Sequence, residues 1–173
     1  MATVEMVRNA VHAMFRENEW HYDFEEERGL FHSGFSLSAA KLDQVRILLD
    51  VCGPGGSREA QDECQYLIVF GKGGVRADES CMAQTAEYLT RANYGLRSGN
   101  FELDYSDGEI RYKVFVDCQD LLPSTAVLRD AVTIPVDMFD RYGNGLLAVV
   151  LGTDLAFRLV QLIFKDRGLI QHK

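Results

Sequence analysis

Residues 99–117 read GNFELDYSDGEIRYKVFVD, and this stretch decides the fold class. Asp107-Gly108 is typical of a two-residue hairpin turn, because both residues tolerate positive φ angles. A turn at that position pairs apolar residues on one face of the hairpin and opposite charges on the other. The predicted pairs are Phe101 with Val114, Leu103 with Tyr112, Tyr105 with Ile110, Glu102 with Lys113 and Asp104 with Arg111. The stretch therefore predicts two antiparallel strands.

The N-terminal part of the chain predicts a helix followed by another hairpin. Apolar residues within positions 3–18 recur at helical spacing, namely Val4, Val7, Val11, Met14 and Phe15. From Trp20 onward the period changes to two, which is typical of strands. A turn at Glu27-Arg28 brings aromatic residues opposite each other, and a one-residue slip would separate them. The predicted facing pairs are Phe24 with Phe31 and Trp20 with Phe35.

The middle of the chain predicts two more strands and a helix. Residues 44–52 are typical of a buried third strand, and residues 64–70 of a fourth. Residues 53–63 between them predict a polar, flexible loop. Asp78 is a suitable N-cap for a helix over residues 79–92. The predicted inner face of that helix is Met82, Ala86 and Leu89.

The last third of the chain is predicted to be helical. Pro123 and Ser124 are typical of a helix start, and Pro135 within the pattern predicts a kink or a break. With the preceding elements, this gives one predicted domain over residues 1–173. The predicted class is α+β, with an N-terminal helix, a twisted antiparallel sheet, a crossing helix and C-terminal helices.

Residues 146–164 are strongly apolar. A membrane span is not expected, because Asp154 and Arg158 lie within the stretch and each costs about 2.5–3.5 kcal/mol in lipid on insertion scales. On the final helix, which is predicted at the end of this stretch, the polar residues form only a narrow stripe. Its apolar face is therefore wider than a surface helix needs. That face fits burial in the core, or an interface with a protein partner or a second copy in a homodimer. The candidate interface residues are Leu155, Leu159, Leu162 and Ile163.

Composition narrows the class of partner. The chain has 173 residues and a net charge of −8, so a phosphate backbone is repelled on average and nucleic acid is not expected. The first residues contain no basic segment followed by an apolar run, so we expect a cytoplasmic protein. The cysteines lack C-x-x-C spacing and are expected to stay thiols, with no metal or cofactor bound. They are Cys52, Cys64, Cys81 and Cys118.

Two segments resemble parts of catalytic or ligand sites. Residues 71–74, Gly-Lys-Gly-Gly, follow a strand as a phosphate loop does, but no Ser or Thr follows the lysine, so a flexible turn is predicted. His32 lies opposite Asp23 in the predicted register, with His21 on the same face, and an Asp–His pair can orient a general base. No Ser or Cys nucleophile can be placed beside them. We expect no enzyme; a small-molecule binder or enzyme using this polar face is the alternative.

Residues 93–103 read NYGLRSGNFEL, and residues 107–112 read DGEIRY. This pattern resembles the YbjN family, a bacterial group described as sensory transduction regulators. The resemblance is strongest over residues 79–117 and extends more weakly from the first helix to Gly152. It implies a fold similar to the type III secretion chaperones, which are typically homodimers that bind extended or partly unfolded segments of partner proteins. It implies no catalytic residues. We therefore expect a chaperone-like, protein-binding function.

Overall fold

A computed structural model describes residues 1–38 and 41–152 of the chain. The elements in chain order are helix α1 (Val4–Glu17), strands β1 (Asp23–Glu25), β2 (Leu30–Ser36), β3 (Gln44–Cys52) and β4 (Tyr66–Arg76), helix α2 (Met82–Asn93), strands β5 (Asn100–Leu103) and β6 (Glu109–Asp117), and helix α3 (Thr125–Val150). The predicted α+β class is confirmed: an N-terminal helix precedes an antiparallel sheet, which is accompanied by a crossing helix and a C-terminal helix.

Within the described residues, six strands form one sheet in the order β1-β2-β3-β4-β6-β5. Each strand is antiparallel to its neighbours, and β6 returns to pair with β4. Helix α3 lies on β3, β4 and β6, helix α1 contacts β3 and α3, and helix α2 contacts β5 and α3. Successive strand residues point to opposite faces. One set is therefore buried beneath the helices, for example Ile47, Leu49, Val69 and Tyr112.

Helix α1 forms because its sequence supplies both a cap and an apolar stripe. The Met6 N–H donates to Thr3 Oγ1 at 3.2 Å, which satisfies one free donor of the first turn. The buried stripe is the predicted one: Val4, Val7, Val11, Met14 and Phe15. The Phe15 and Tyr22 rings stack with their centroids 4.6 Å apart. Each such buried side chain contributes about 1.5–3 kcal/mol, so packing against the sheet holds the helix in place.

The loop before β4, predicted to be flexible, is tied to the start of α1. The Val4 N–H donates to the Asp62 carbonyl oxygen at 2.8 Å, and the Cys64 N–H donates to the Ala2 carbonyl oxygen at 2.8 Å. Ala2 is only 3% exposed. The first of these bonds occupies a backbone donor that the first turn of a helix leaves free, and the second adds an acceptor just before that turn. The loop therefore serves as a backbone partner for the N-terminal residues.

The first hairpin has the predicted register and a longer turn. Phe24 lies opposite Phe31, with ring centroids 4.5 Å apart. Trp20 meets Phe35 edge to face at 5.0 Å. The turn spans four residues instead of two, because Gly29 adopts a φ of 63° and its N–H bonds a carbonyl oxygen three residues earlier. Adding one residue to each side of a turn leaves the pairing of the flanking strands unchanged, so the register is confirmed.

The second hairpin has a register two residues away from the predicted one. The observed pairs are Asn100 with Lys113, Phe101 with Tyr112, Glu102 with Arg111 and Leu103 with Ile110. A longer loop replaces the two-residue turn, and the Gly108 N–H donates to the Asp104 carbonyl oxygen at 2.8 Å. Tyr105 therefore lies in the loop, 66% exposed. A two-residue slip keeps every side chain on its face, so patterning alone does not distinguish the two registers.

Strand β4 continues through residues 71–74, where the sequence predicted a turn. Gly71 and Gly73 in this stretch face helix α3. A Cβ added at Gly71 would lie 2.5 Å from Pro135 Cβ, and one at Gly73 would lie 2.8 Å from the Phe139 ring. The glycines therefore let a helix approach the strand closely, which is a common use of glycine inside a strand.

Helix α3 is continuous across Pro135, so of the predicted kink or break the break is wrong. Pro135 removes one backbone hydrogen bond from the helix. Its burial against β4 offsets that loss. The predicted start is confirmed, because Ser124 Oγ accepts from the Val127 N–H at 3.3 Å. The helix ends at Val150, and Gly152, two residues later, adopts a φ of 61°.

Helix α2 begins at Met82, later than predicted. Asp78 Oδ1 accepts from two backbone N–H groups of the turn that precedes the helix, so it does not cap the helix itself. Tyr88 is buried and its hydroxyl donates to the Tyr142 carbonyl oxygen at 2.8 Å, which fixes the rotation of the helix. Met82 and Ala86 are only half-buried. The buried face is Thr85, Tyr88, Leu89 and Ala92.

Candidate functional site

The second face of the sheet carries no helix among the described residues. Its side chains alternate with the buried ones along each strand, and the register aligns them in rows across the sheet. This open face includes Arg46, Leu48 and Asp50 of β3, Tyr66, Ile68, Phe70 and Lys72 of β4, Glu109, Arg111, Lys113 and Phe115 of β6, and Glu102 of β5. A solvated sheet face is usually polar. Its apolar residues depart from that pattern.

An apolar stripe crosses the centre of the open face. Leu48 lies opposite Phe70, and Ile68 lies opposite Phe115. The Tyr66 and Phe115 ring centroids are 5.7 Å apart. The Phe115 side chain is 58% exposed. Contiguous apolar side chains on an exposed surface are typical of an interaction site.

A row of basic residues borders this stripe. Arg46, Lys72 and Arg111 are consecutive cross-strand neighbours, and like charges opposite each other destabilise a sheet. Two of the three are compensated. Lys72 Nζ lies 2.9 Å from Glu109 Oε1, and Arg111 Nε donates to Glu102 Oε2 at 2.8 Å. Arg46 is exposed and forms no ion pair within residues 1–38 and 41–152.

Two further contacts join the basic row to the stripe. The Arg111 guanidinium carbon lies 4.4 Å from the centroid of the Phe70 ring, a cation–π contact. Lys113 lies opposite Phe70 and forms an ion pair with Glu102. Burial alone would raise the pKa of Glu102, but hydrogen bonds from Lys113 and Arg111 outweigh it and lower that pKa. Glu102 is therefore anionic at neutral pH and holds both cations beside the ring.

Strand β6 has a free edge beside Phe115. Strand β5 pairs with β6 only as far as Lys113, so residues 114–117 have no second neighbouring strand in the described part of the chain. The Cys118 N–H donates to the carbonyl oxygen of Gln65, the residue before β4, at 3.0 Å, so Cys118 directs its backbone groups towards β4. Backbone hydrogen bonds alternate in direction along an antiparallel strand. Phe115, three residues earlier, therefore directs its N–H and C=O towards the free edge.

The outer edges of β5 and β1 are less open. The side-chain amide of Asn93 bonds both backbone groups of Phe101: the Phe101 N–H donates to Oδ1 at 2.8 Å, and Nδ2 donates to the carbonyl oxygen at 2.9 Å. The amide thus takes the place of a neighbouring strand. Strand β1, at the other edge, has only three residues. Short edge strands limit pairing with another chain.

The polar face of the first hairpin holds the residues predicted for a small-molecule site. Asp23 lies opposite His32, as the register predicted. The His32 imidazole, however, has Glu25 as its partner, with Nε2 3.3 Å from Oε2. His21 contributes its carbonyl oxygen, which accepts from the Ser33 hydroxyl at 2.7 Å. The expected Asp–His pair is therefore a Glu–His pair, and the nearby hydroxyl is engaged in the hairpin.

The four cysteines are buried free thiols, Cys52, Cys64, Cys81 and Cys118. Burial and the hydrogen bond to the Asp50 carboxylate raise the pKa of Cys52 to about 11. A hydrogen bond with the Cys64 thiol, together with burial, raises the pKa of Cys118. A nucleophilic cysteine needs a lowered pKa and an accessible sulfur. Cys52 and Cys118 are buried and have raised pKa values, so neither fits that role.

The predicted interface residues of the final helix lie outside the described residues; they are Leu155, Leu159, Leu162 and Ile163. Over the ranges 1–38 and 41–152, no helix combines the length and the apolar character needed to cross a bilayer. In the same two ranges, no three His, Cys, Asp or Glu side chains group together as metal ligands do.

Sequence reasoning missed the open face. Alternation along β6 places Arg111, Lys113 and Phe115 on one face, and this signal was available from the sequence. The row itself requires Arg46 and Lys72 to be neighbours, which depends on the pairing of β3 with β4. That pairing spans a long loop, so no turn motif specifies it.

Comparison with models of known protein families gives no match, and comparison with curated proteins gives none either. The functional inference therefore rests on the open face and on the free edge of β6.

Proposed function

We propose that this chain is a non-enzymatic, chaperone-like module that binds an extended segment of a partner protein. The free edge of β6 at residues 114–117, beside the exposed Phe115 ring, is the observation that carries this proposal. An extended segment pairs with such an edge through backbone hydrogen bonds, and its side chains pack on the adjoining apolar surface. The resemblance to the YbjN family and to the secretion chaperones is part of the same proposal.

The free edge of β6 supports binding better than the other sheet edges. Asn93 already occupies the backbone of β5, and β1 is short. Each added backbone hydrogen bond contributes about 0.5–1.5 kcal/mol. Because only a few such bonds fit beside residues 114–117, most of the affinity must come from burying the apolar stripe around Phe115.

Three variants of the chain test the binding mode. Phe115→Ala removes the ring, and Phe115→Pro also removes the outward N–H. Tyr105→Ala is the matched control, because Tyr105 is also an exposed aromatic residue, at 66% against 58% for Phe115, but lies in a loop. Proteins from host lysate are captured on the immobilised chain and quantified by mass spectrometry. We expect capture to be retained by Tyr105→Ala, weakened by Phe115→Ala and lost with Phe115→Pro.

Thermal unfolding of each variant verifies that the fold is intact before capture is compared. Partners held equally well by Phe115→Pro and by the unaltered chain would contradict the proposal. Such a result would direct attention to the first hairpin, where a ligand screen with a His32→Ala variant tests the small-molecule alternative.

A second copy of the chain is the other partner in this proposal, with Leu155, Leu159, Leu162 and Ile163 as the contact residues. Sedimentation equilibrium tests it. We expect the unaltered chain to be a dimer and Leu159→Asp to be a monomer of the same helical content. A monomeric unaltered chain would remove self-association from the proposal and leave the free edge as the site. A cytoplasmic setting, in which the four thiols stay reduced, completes the proposal.

A further inference from the structure

The basic row and its neighbours on the open face differ in charge from the chain as a whole. The open face also holds Asp50, which forms an ion pair with Arg58. Four basic residues border the apolar stripe, and two acidic residues pair with them. The group therefore carries a local excess of positive charge, while the whole chain has a net charge of −8. The basic residues are Arg46, Lys72, Arg111 and Lys113, and the acidic ones are Glu102 and Glu109.

The arrangement is unfavourable for the isolated sheet. Arg46, Lys72 and Arg111 stand side by side in one row, roughly 4.8 Å apart from strand to strand. Glu109 and Glu102 offset the repulsion at Lys72 and Arg111, whereas no ion pair within the described residues offsets the repulsion at Arg46. An anionic partner would relieve that repulsion.

We infer that the bound segment carries acidic residues beside apolar ones, and that this basic row selects it. The inference rests on the proposed function and names the chemistry of the partner. Apolar side chains of the segment cover Phe115 and Phe70, and its carboxylates lie against the row. A depression of about 380 Å³ lies at the end of the row. Its lining is mixed, because Lys41, Arg46 and Lys72 are joined there by Asp43 and by Leu147 of helix α3.

An acidic protein segment fits the surface better than a nucleic acid does. Glu102 and Glu109 lie within the basic group and repel phosphates and carboxylates alike, so these two residues do not distinguish the two kinds of partner. The overall charge of −8 adds repulsion over the length of a polyanion. A short segment avoids this, since screening at physiological ionic strength limits charge interactions to about 8 Å.

Selection from a random library of 12-residue peptides tests the inference. The full chain, Arg46→Glu and the control Arg129→Glu are each used as the target. Arg129 is also exposed, but it lies on α3. We expect peptides selected by the full chain to be enriched in Asp and Glu together with apolar residues. Arg46→Glu should remove the acidic enrichment and weaken a representative peptide about tenfold, while Arg129→Glu should change neither.

The outcomes separate the inference from the proposed function. Apolar peptides without acidic enrichment, lost with Phe115→Ala, would overturn the inference and leave the function in place. Failure to enrich any peptide, or enrichment unaffected by Phe115→Ala, would overturn both. Selected peptides that resemble residues 153–173 would indicate that the chain's own C-terminal residues bind the open face. That result would overturn the inference of an acidic partner segment. Displacement of an acidic peptide by a single-stranded oligonucleotide at equal concentration would also overturn it.

Discussion

The two faces of the sheet are built from the same strands and obey different constraints. On β6, Val114 points to the helices and is 4% exposed, while the adjacent Phe115 points away and is 58% exposed. On β4, Gly71 faces Pro135 with no space for a side chain, while the adjacent Lys72 pairs with Glu109 near the solvent. Side-chain volume therefore limits the covered face, whereas charge and aromatic character distinguish the open face. Substitutions on the two faces should have unequal consequences.

The largest difference is expected between two phenylalanines. Phe139 is fully buried, and its ring meets Phe101 edge to face at 5.5 Å. Phe139→Ala should lower the free energy of unfolding by about 3–5 kcal/mol, because it leaves a cavity. Phe115→Ala on the open face should lower it by less than about 1 kcal/mol. Urea denaturation followed by circular dichroism measures both. Equal losses would show that Phe115 is also packed.

Two glycines give a second, smaller contrast. A Cβ at Gly71 would lie 2.5 Å from Pro135, so Gly71→Ala should force α3 away from β4 at a cost of about 1–3 kcal/mol. Gly34 lies on the open face, and its nearest neighbour would be Gln44 Oε1 at 3.8 Å. Gly34→Ala should change stability by no more than about 0.5 kcal/mol. Thermal unfolding compares the pair; a stable Gly71→Ala chain would show that α3 can shift freely.

The sheet edge should respond at an intermediate level. Asn93→Ala removes both hydrogen bonds to the Phe101 backbone, and we expect a loss of about 1–2 kcal/mol. The Phe101 amide should also exchange its hydrogen faster. Asn100→Ala is the control, because Asn100 makes a longer bond of 3.3 Å to the same carbonyl oxygen. Similar exchange rates in the two variants would mean that Asn93 does not protect this edge.

The smallest expected effect is a pH dependence on the open face. Hydrogen bonds from Lys113 and Arg111 overcome the effect of burial and lower the pKa of Glu102 below 4.5 in the folded chain. A lowered folded-state pKa gives stability that is present above the unfolded pKa and is lost as pH falls through the folded one. The unaltered chain should therefore lose more stability than Glu102→Gln between pH 7 and 3, by less than about 1 kcal/mol. Urea denaturation at both pH values measures the two chains. Equal losses in their free energy of unfolding would argue against the ion pairs of Glu102 with Lys113 and Arg111.

Local patterns predicted some parts of the fold, and others depended on distant contacts. The stripe of α1 and the facing pair Phe24–Phe31 followed from spacing, because a one-residue error changes the face of a side chain. The β5–β6 register did not follow, since a two-residue slip preserves every face. Gly71 suggested a turn because its real neighbour, Pro135, is distant in sequence. The row of Arg46, Lys72 and Arg111 could not be predicted for the same reason, because its members are distant in sequence.

The bonds between the N-terminal residues and the loop before β4 affect the order of folding during synthesis. The Val4 N–H bonds Asp62, and Ala2 accepts from Cys64, so the start of α1 lacks its partners until residues 60–64 have been made. At roughly 5–20 residues per second, that delay is several seconds. A 14-residue helix is only marginally stable alone. Helix α1 must therefore wait for later strands. Pulse-labelled hydrogen exchange should show the α1 amides protected no earlier than those of β3 and β4.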